Sequence, residues 1–216
     1  MKLRLLPLAS SLLALTGCSG VFDSTLPAPQ AYILRLPSPA QPATAPAAAG
    51  SLLVQRPLAG PGLDSERIAL LRSDRRFDFF AASRWAAPAP DLLESVLVDA
   101  VREAGLFSSV FDDSAPYAPH YNLRVTLRRF EADYTAGARA PTVYVVLDCT
   151  LGRHRDRNLL ASFTAQGTAV ATEDRLSAVV AAFETATAGA VSELERATTA
   201  ALAAEDPATR APAPAR

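Results

Sequence analysis

The chain has 216 residues, 21 Lys and Arg against 22 Asp and Glu, and a formal net charge of −1. A chain this long suits one domain. The near-neutral balance, with no run rich in Lys or Arg, excludes a nucleic-acid binder, whose affinity rests on clustered cations. Half of the residues are apolar and only two are cysteine.

Lys2 and Arg4 precede an apolar stretch, Leu5–Leu15, and small residues then lead to Cys18. This is the layout of a secretory signal peptide over residues 1–17. This stretch of eleven residues, interrupted by Pro7, Ser10 and Ser11, is too short for a spanning helix, which takes about 20. Leu15-Thr16-Gly17-Cys18 matches the bacterial lipobox. Small residues there reach a peptidase at the membrane surface, and the Cys18 thiol is the nucleophile that accepts the lipid. Leu15, Thr16 and Gly17 are thus the expected recognition residues, and Cys18 the acylated new N-terminus. Two or more acyl chains anchor a protein stably, at ~0.8 kcal/mol per buried methylene. Ser19, where an Asp would signal inner-membrane retention in enteric-type bacteria, favours the outer membrane.

Removal of residues 1–17 takes away the only lysine, so every remaining cation is arginine, and the net charge becomes −3 from 19 basic and 22 acidic residues. Cys149 is then the only thiol, so no intramolecular disulfide can form despite an oxidising compartment. Residues 18–30 read as a lipidated tether and 31–203 as the folded domain. Ala31–Leu36 is the first expected strand. Residues 37–50 (PSPAQPATAPAAAG) read as an extended Pro/Ala loop. Further strands are expected at Ser51–Gln55, Arg67–Arg72 and Arg76–Phe80, the last two joined across Ser73-Asp74.

A helix begins at Pro90-Asp91, with Asp91 as N-cap and Glu94 completing a capping box. Leu93, Val96, Leu97, Ala100, Val101 and Ala104 recur at helical spacing, and Gly105 stops the helix. Leu106, Phe107, Val110 and Phe111 then turn the chain back toward the core. Strict alternation follows in Tyr121–Leu127, in Pro141–Leu151 and in Asn158–Thr172, where Leu159, Ala161, Phe163, Ala165, Ala169 and Ala171 are expected on one face. Three such runs imply antiparallel strands with one covered face. Asp174–Ala203 reads as a long helix whose Ala178, Ala182, Ala186 and Gly189 permit close approach. Residues 204–216 read as a disordered tail. The expected fold is α+β: a mostly antiparallel sheet with two helices packed on one face, after the lipidated flexible tether.

No nucleophile, metal or phosphate motif occurs, so no catalytic residue, metal site or cofactor is expected. Cys149 and His154 are close in sequence, but Cys149 shares the core face with Val145 and Leu147, which favours a buried structural cysteine. Asp112-Asp113 suit a cation or a solvated loop, and Glu131 with Asp133 a dyad or a polar strand end; the plainer reading is preferred in each case. His120 opens a strand. Two arginine groups, Arg72/Arg75/Arg76 and Arg153/Arg155/Arg157, suit lipid phosphates, a partner's acids, or simply charged turns. Trp85 is expected to be a hydrophobic anchor.

The order of several segments resembles the ABC-type transport auxiliary lipoproteins, including the PqiC-type intermembrane transport lipoprotein. They are the lipobox LTGC, AYILRL, SLLVQRPLAGPGLDSERIALLRSD, RWAAPAPDLLESVLVDAVREAGLFSSV, YNLRVTLRRFEADY and DRLSAVVAAFETATAGAVSELE. Departures are the Ala-rich loop, the Pro/Ala tail, and Glu195-Arg196-Ala197 where a Trp is common. The resemblance implies a non-enzymatic subunit of a lipid transport system, lipid-anchored on the periplasmic face of the outer membrane. The implied partners are an MCE-domain protein and ABC transporter subunits, with a homo-oligomer in prospect. Only Cys18 is carried over as a functional residue. The competing expectation is an envelope lipoprotein that assists or plugs an outer-membrane β-barrel.

Overall fold

The computed structural model describes residues 28–36 and 48–205. Leu15, Thr16, Gly17 and Cys18 therefore lie outside the described residues, as do Ser19, most of the Pro/Ala loop and residues 206–216. The elements are β1 (Gln30–Tyr32), β2 (Ala48–Val54), β3 (Leu58–Ala59), β4 (Ala69–Leu71), β5 (Phe77–Phe79), β6 (Ser83–Trp85), α1 (Ala89–Glu103), β7 (Phe107–Phe111), β8 (Tyr121–Asp133), β9 (Thr142–Arg153), β10 (Leu159–Val170) and α2 (Leu176–Ala203).

The expected α+β fold is present, built around β8. One edge of β8 pairs antiparallel with β9 along its whole length, and β9 pairs antiparallel with β10. The other edge of β8 is covered in turn by β2, β3 and β4, all parallel to it, as the chain creeps along the strand. The sheet is therefore mixed: its long ladders are antiparallel and its short ones parallel. β7, read from the sequence only as a return of the chain, pairs parallel with β2. β1 pairs parallel with β6, in a separate small sheet.

Two bulges explain where alternation and structure part. Leu123, Val125 and Leu127 are buried, then Phe130 and Ala132, so the buried phase shifts by one residue. The β8–β9 register slips between Leu127 and Arg129, which absorbs the extra residue and lets β8 continue to Asp133. A second slip lies between Leu159 and Ala161. It puts Leu159 out of phase with Ala161–Ala171, and Leu159 is 57% exposed rather than on the core face.

The first helix starts earlier than its sequence signal. Pro88 is the N-cap residue, with no side-chain cap, and Asp91 sits in the first turn instead of capping it. Pro90 fits a first turn because its missing N–H would have no helical partner there. Gly105 ends the helix as expected, at φ 64°, with its N–H donating to the Arg102 carbonyl. At α2 the N-cap residue is Arg175. β2 begins at Ala48, inside the segment read as loop, and β1 ends at Tyr32, so Ile33–Leu36 carry no strand pairing.

Both helices lie on one face, α1 against β7 and β2, α2 against β10 and β9, and they touch each other. Gly167 of β10 is where α2 crosses. A Cβ on Gly167 would sit 1.9 Å from the Ala186 carbonyl oxygen, and one on Gly189 would sit 3.4 Å from the Gly167 Cα. The small-residue stripe thus lets helix and strand backbones nearly touch. The core is closed by Trp85, Phe130 and Phe183, with ring centroids 4.8–5.6 Å apart. Trp85 is fully buried, an anchor as expected.

Candidate functional site

Most of the sequence candidates resolve into structural contacts. Cys149 lies on the core face of β9, 1% exposed, and burial pushes its thiol up to about 12. His154 is elsewhere, hydrogen-bonded to Asn122 at 3.1 Å, so Cys149 and His154 are not brought together. Asp112 folds onto Ser114, and Asp113 accepts the Arg56 backbone N–H at 3.0 Å. The Arg56 guanidinium in turn binds Asp64 and Asp91, which joins the loop after β2 to the start of α1. Glu131 and Asp133 are not a dyad: they grip Arg129, at 2.6 and 3.1 Å, and Arg129 also lies over the Tyr144 ring. Burial opposes ionisation of Asp133, but Thr135 and Arg129 outweigh it and hold the carboxyl below its ordinary range.

The two arginine groups differ. Arg153 turns inward, its side chain only 9% exposed, and pairs with Asp156 at 2.8 Å and Glu205 at 2.7 Å. Tyr121 donates to the same Glu205 at 2.9 Å. This knot binds the end of α2 to β8 and β9, and it buries Glu205, within the segment read as tail. Arg155 and Arg157 stay exposed at the β9–β10 turn.

Arg72, Arg75 and Arg76 all remain at the surface, in the β4–β5 turn. Arg72 pairs with Asp78 at 2.7 Å and Arg76 with Asp74 at 3.4 Å. The Phe79 backbone N–H and Arg72 together hold the Asp78 carboxyl below its ordinary range. Beside this turn opens a cleft of about 490 Å³, with Leu70 and Phe80 as apolar lining and Arg72, Ser73, Asp74, Arg76, Tyr134 and Asp174 as polar lining. Tyr134 donates to Asp174 at 2.7 Å, and burial with the neighbouring Asp174 charge raises its phenol well above the ordinary range. The sequence flagged the arginines but not the cleft. Tyr134 and Asp174 come from the ends of β8 and the β10–α2 loop, and only the sheet's register brings them to the turn.

One pairing the sequence did not signal is Ser51 with His120, whose Oγ and Nδ1 are 3.0 Å apart. It resembles half of a nucleophile–base pair. However, the Ser51 backbone N–H also donates to Nδ1 at 3.1 Å, and Ser51 is only 9% exposed. An attacking hydroxyl must reach its substrate, so this contact instead clips the segment before β8 onto β2. Among the described residues no three metal-ligating side chains cluster, and no helix is long and apolar enough to cross a membrane.

The fold has clear relatives. The crystal structure of protein XCC0632 from Xanthomonas campestris is 29% identical, with TM-score 0.66 over 81% of this chain and 95% of that one. Another crystal structure, of an uncharacterized protein, is 16% identical, with TM-score 0.60 over 79% of this chain and 98% of that one. A PelC dodecamer from Paraburkholderia phytofirmans is 16% identical, with TM-score 0.42 over 71% and 93% of the two chains. No curated protein matches this chain. The family of ABC-type transport auxiliary lipoprotein components matches residues 32–208, nearly the whole folded region. The chain therefore belongs to the ABC-type transport auxiliary lipoprotein family.

Proposed function

We propose that this protein is a docking adaptor of an ABC-type intermembrane lipid transport system, anchored through acylated Cys18 to the periplasmic face of the outer membrane. Its partners are an MCE-domain protein and the ABC transporter subunits, and it works as a homo-oligomer. The observation that carries this reading is the order of parts: a lipobox ending at Cys18, a short tether, then a domain of the transport-auxiliary family. The domain's polar clusters support a non-enzymatic role, because they pair with one another and hold elements together. Ser19 supports the outer membrane.

The test is mild-detergent affinity purification of the full-length protein from its own membranes, with mass spectrometry of what accompanies it. An MCE-domain protein with ABC subunits is the expected result. A β-barrel without them would overturn the transport-adaptor reading in favour of barrel assistance, and would leave the lipoprotein assignment intact.

A further inference from the structure

The β4–β5 turn and the point where the tether enters the domain lie at the same end of the fold. Phe77–Phe79 runs antiparallel to Ala69–Leu71, and the hydrogen bonds Phe80 N–H to Ile68 O and Trp85 N–H to Glu66 O continue that antiparallel course through β6. β1 runs parallel to β6, Gln30 beside Ser83, with the Gln30 N–H donating to the Ala82 carbonyl at 2.9 Å. Gln30, and Ala28 and Pro29 before it, therefore stand at the end of β1 nearer the Arg72–Arg76 turn. Ala28 is ten residue steps from Cys18, so a lipid on Cys18 holds this end within about 35 Å of the bilayer surface. The β9–β10 turn, with Arg155 and Arg157, lies at the opposite end, beside the start of β8.

We infer that the β4–β5 turn is the membrane-facing surface of the domain, and that its cleft receives the zwitterionic headgroup of a phospholipid in the anchoring leaflet. The inference rests on the Cys18 anchor of the proposed function. The charges around the cleft are mixed, which suits a zwitterion better than a purely anionic group. Guanidiniums form paired hydrogen bonds with phosphate oxygens, and Arg72 and Arg76 stand at the rim. Asp74 and Asp174 stand beside them for an ammonium. The ion pairs already there are exposed, so exchanging them for a headgroup costs little. Arg75, exposed in the same turn at φ 64° with its N–H donating to the Arg72 carbonyl, adds a guanidinium that forms no ion pair with a described carboxylate. Such a conformation is unfavourable for a residue with a side chain and recurs at ligand contacts. Leu70 and Phe80 line the cleft where the headgroup's methylenes would lie.

The test places a fluorophore at Ala136→Cys, exposed in the β8–β9 turn at the same end of the sheet as the β4–β5 turn and outside the cleft lining, or at Arg155→Cys, in the lipidated protein. The protein is reconstituted in vesicles of phosphatidylethanolamine and phosphatidylcholine containing a headgroup spin-labelled lipid. Cys149 is buried and stays unlabelled. Expected is flotation with the vesicles, strong quenching at position 136, little at 155, and loss of that contrast in the Arg75→Glu/Arg76→Glu background. Flotation with equal quenching at both positions, or with stronger quenching at 155, overturns the surface assignment alone. A contrast that survives the double substitution overturns the headgroup contact. Failure to float overturns the anchor reading, and the inference with it.

Discussion

Glu205 shows how much a single buried charge can hold. Its side chain is 1% exposed and accepts from both Arg153 and Tyr121, so the last residue described after α2 is tied to the first residue of β8 and the last of β9. Removing Glu205 takes from the buried Arg153 one of its two carboxylates, leaving Asp156, and takes the acceptor from Tyr121, a loss of about 2–3 kcal/mol. Glu205→Ala is expected to lower the urea midpoint accordingly with unchanged m. A control, Glu173→Ala, removes an exposed partner of Arg175 and should cost well under about 1 kcal/mol. Gly167→Ala makes the opposite kind of error. A Cβ at 1.9 Å from the Ala186 carbonyl oxygen forces α2 off the sheet, an overpacking cost of about 1–3 kcal/mol or more, readable in the same unfolding curves.

At the scale of elements, α1 carries a titratable mismatch. Burial raises the Glu94 carboxyl above its ordinary range, with the Asp113, Asp112 and Asp91 charges adding to it against a backbone hydrogen bond from Asp113. A carboxylate with a raised folded pKa binds its proton more tightly in the native state, so it destabilises the fold at pH above that value and is neutral well below the ordinary range of about 4. Glu94→Gln is therefore expected to stabilise the protein at pH 7, to lose that advantage as pH falls through the raised folded value, and to retain none of it below about 4. Asp133, depressed by Thr135 and Arg129, works with the opposite sign. Its contribution is present at neutral pH and disappears as pH falls through its depressed folded value, so Asp133→Asn should flatten the acid limb of a stability–pH curve. In β9, the Cys149 thiol is buried and pushed up to about 12. Ellman's reagent should leave it untouched in the native protein, even at pH 8, and titrate it fully in denaturant. Rapid native reaction would place β9 away from the core.

For the whole molecule, the proposed adaptor role rests on an anchor at Cys18, which lies outside the described residues. Cys18→Ala in the full-length chain is expected to abolish palmitate incorporation and to shift the protein out of the membrane fraction while leaving thermal unfolding of the domain unchanged. Retention of the label would remove the basis for the anchoring reading. If Cys18 anchors the domain as proposed, the opposite end, with the β9–β10 turn and the Arg153–Glu205 knot, faces away from the bilayer. Charge reversal at Arg155 should therefore leave membrane association unaffected.

Local signals in the sequence sufficed for the elements whose stability is local or periodic. Alternation marked β8, β9 and β10, because each buries one face. Helical spacing with Gly105 marked α1, and small residues marked the close face of α2. A lipobox, as Leu15–Cys18 is expected to be, is a linear signal, so the expectation needs nothing beyond the sequence. Only the tertiary structure decided the rest. The short strands β3, β6 and β7 have too few residues to show a period and exist because β8, β2 and β1 offer them backbone partners. The α1 start was set by Pro88 and by Arg56 drawing Asp91 away, a contact across 35 residues. The inward turn of Arg153, the phase shifts at the two bulges, and the meeting of Tyr134, Asp174 and the Arg72–Arg76 turn in one cleft all depend on register. Register is a property of paired strands, fixed by which long-range hydrogen bonds close together, and no single segment of the chain contains it.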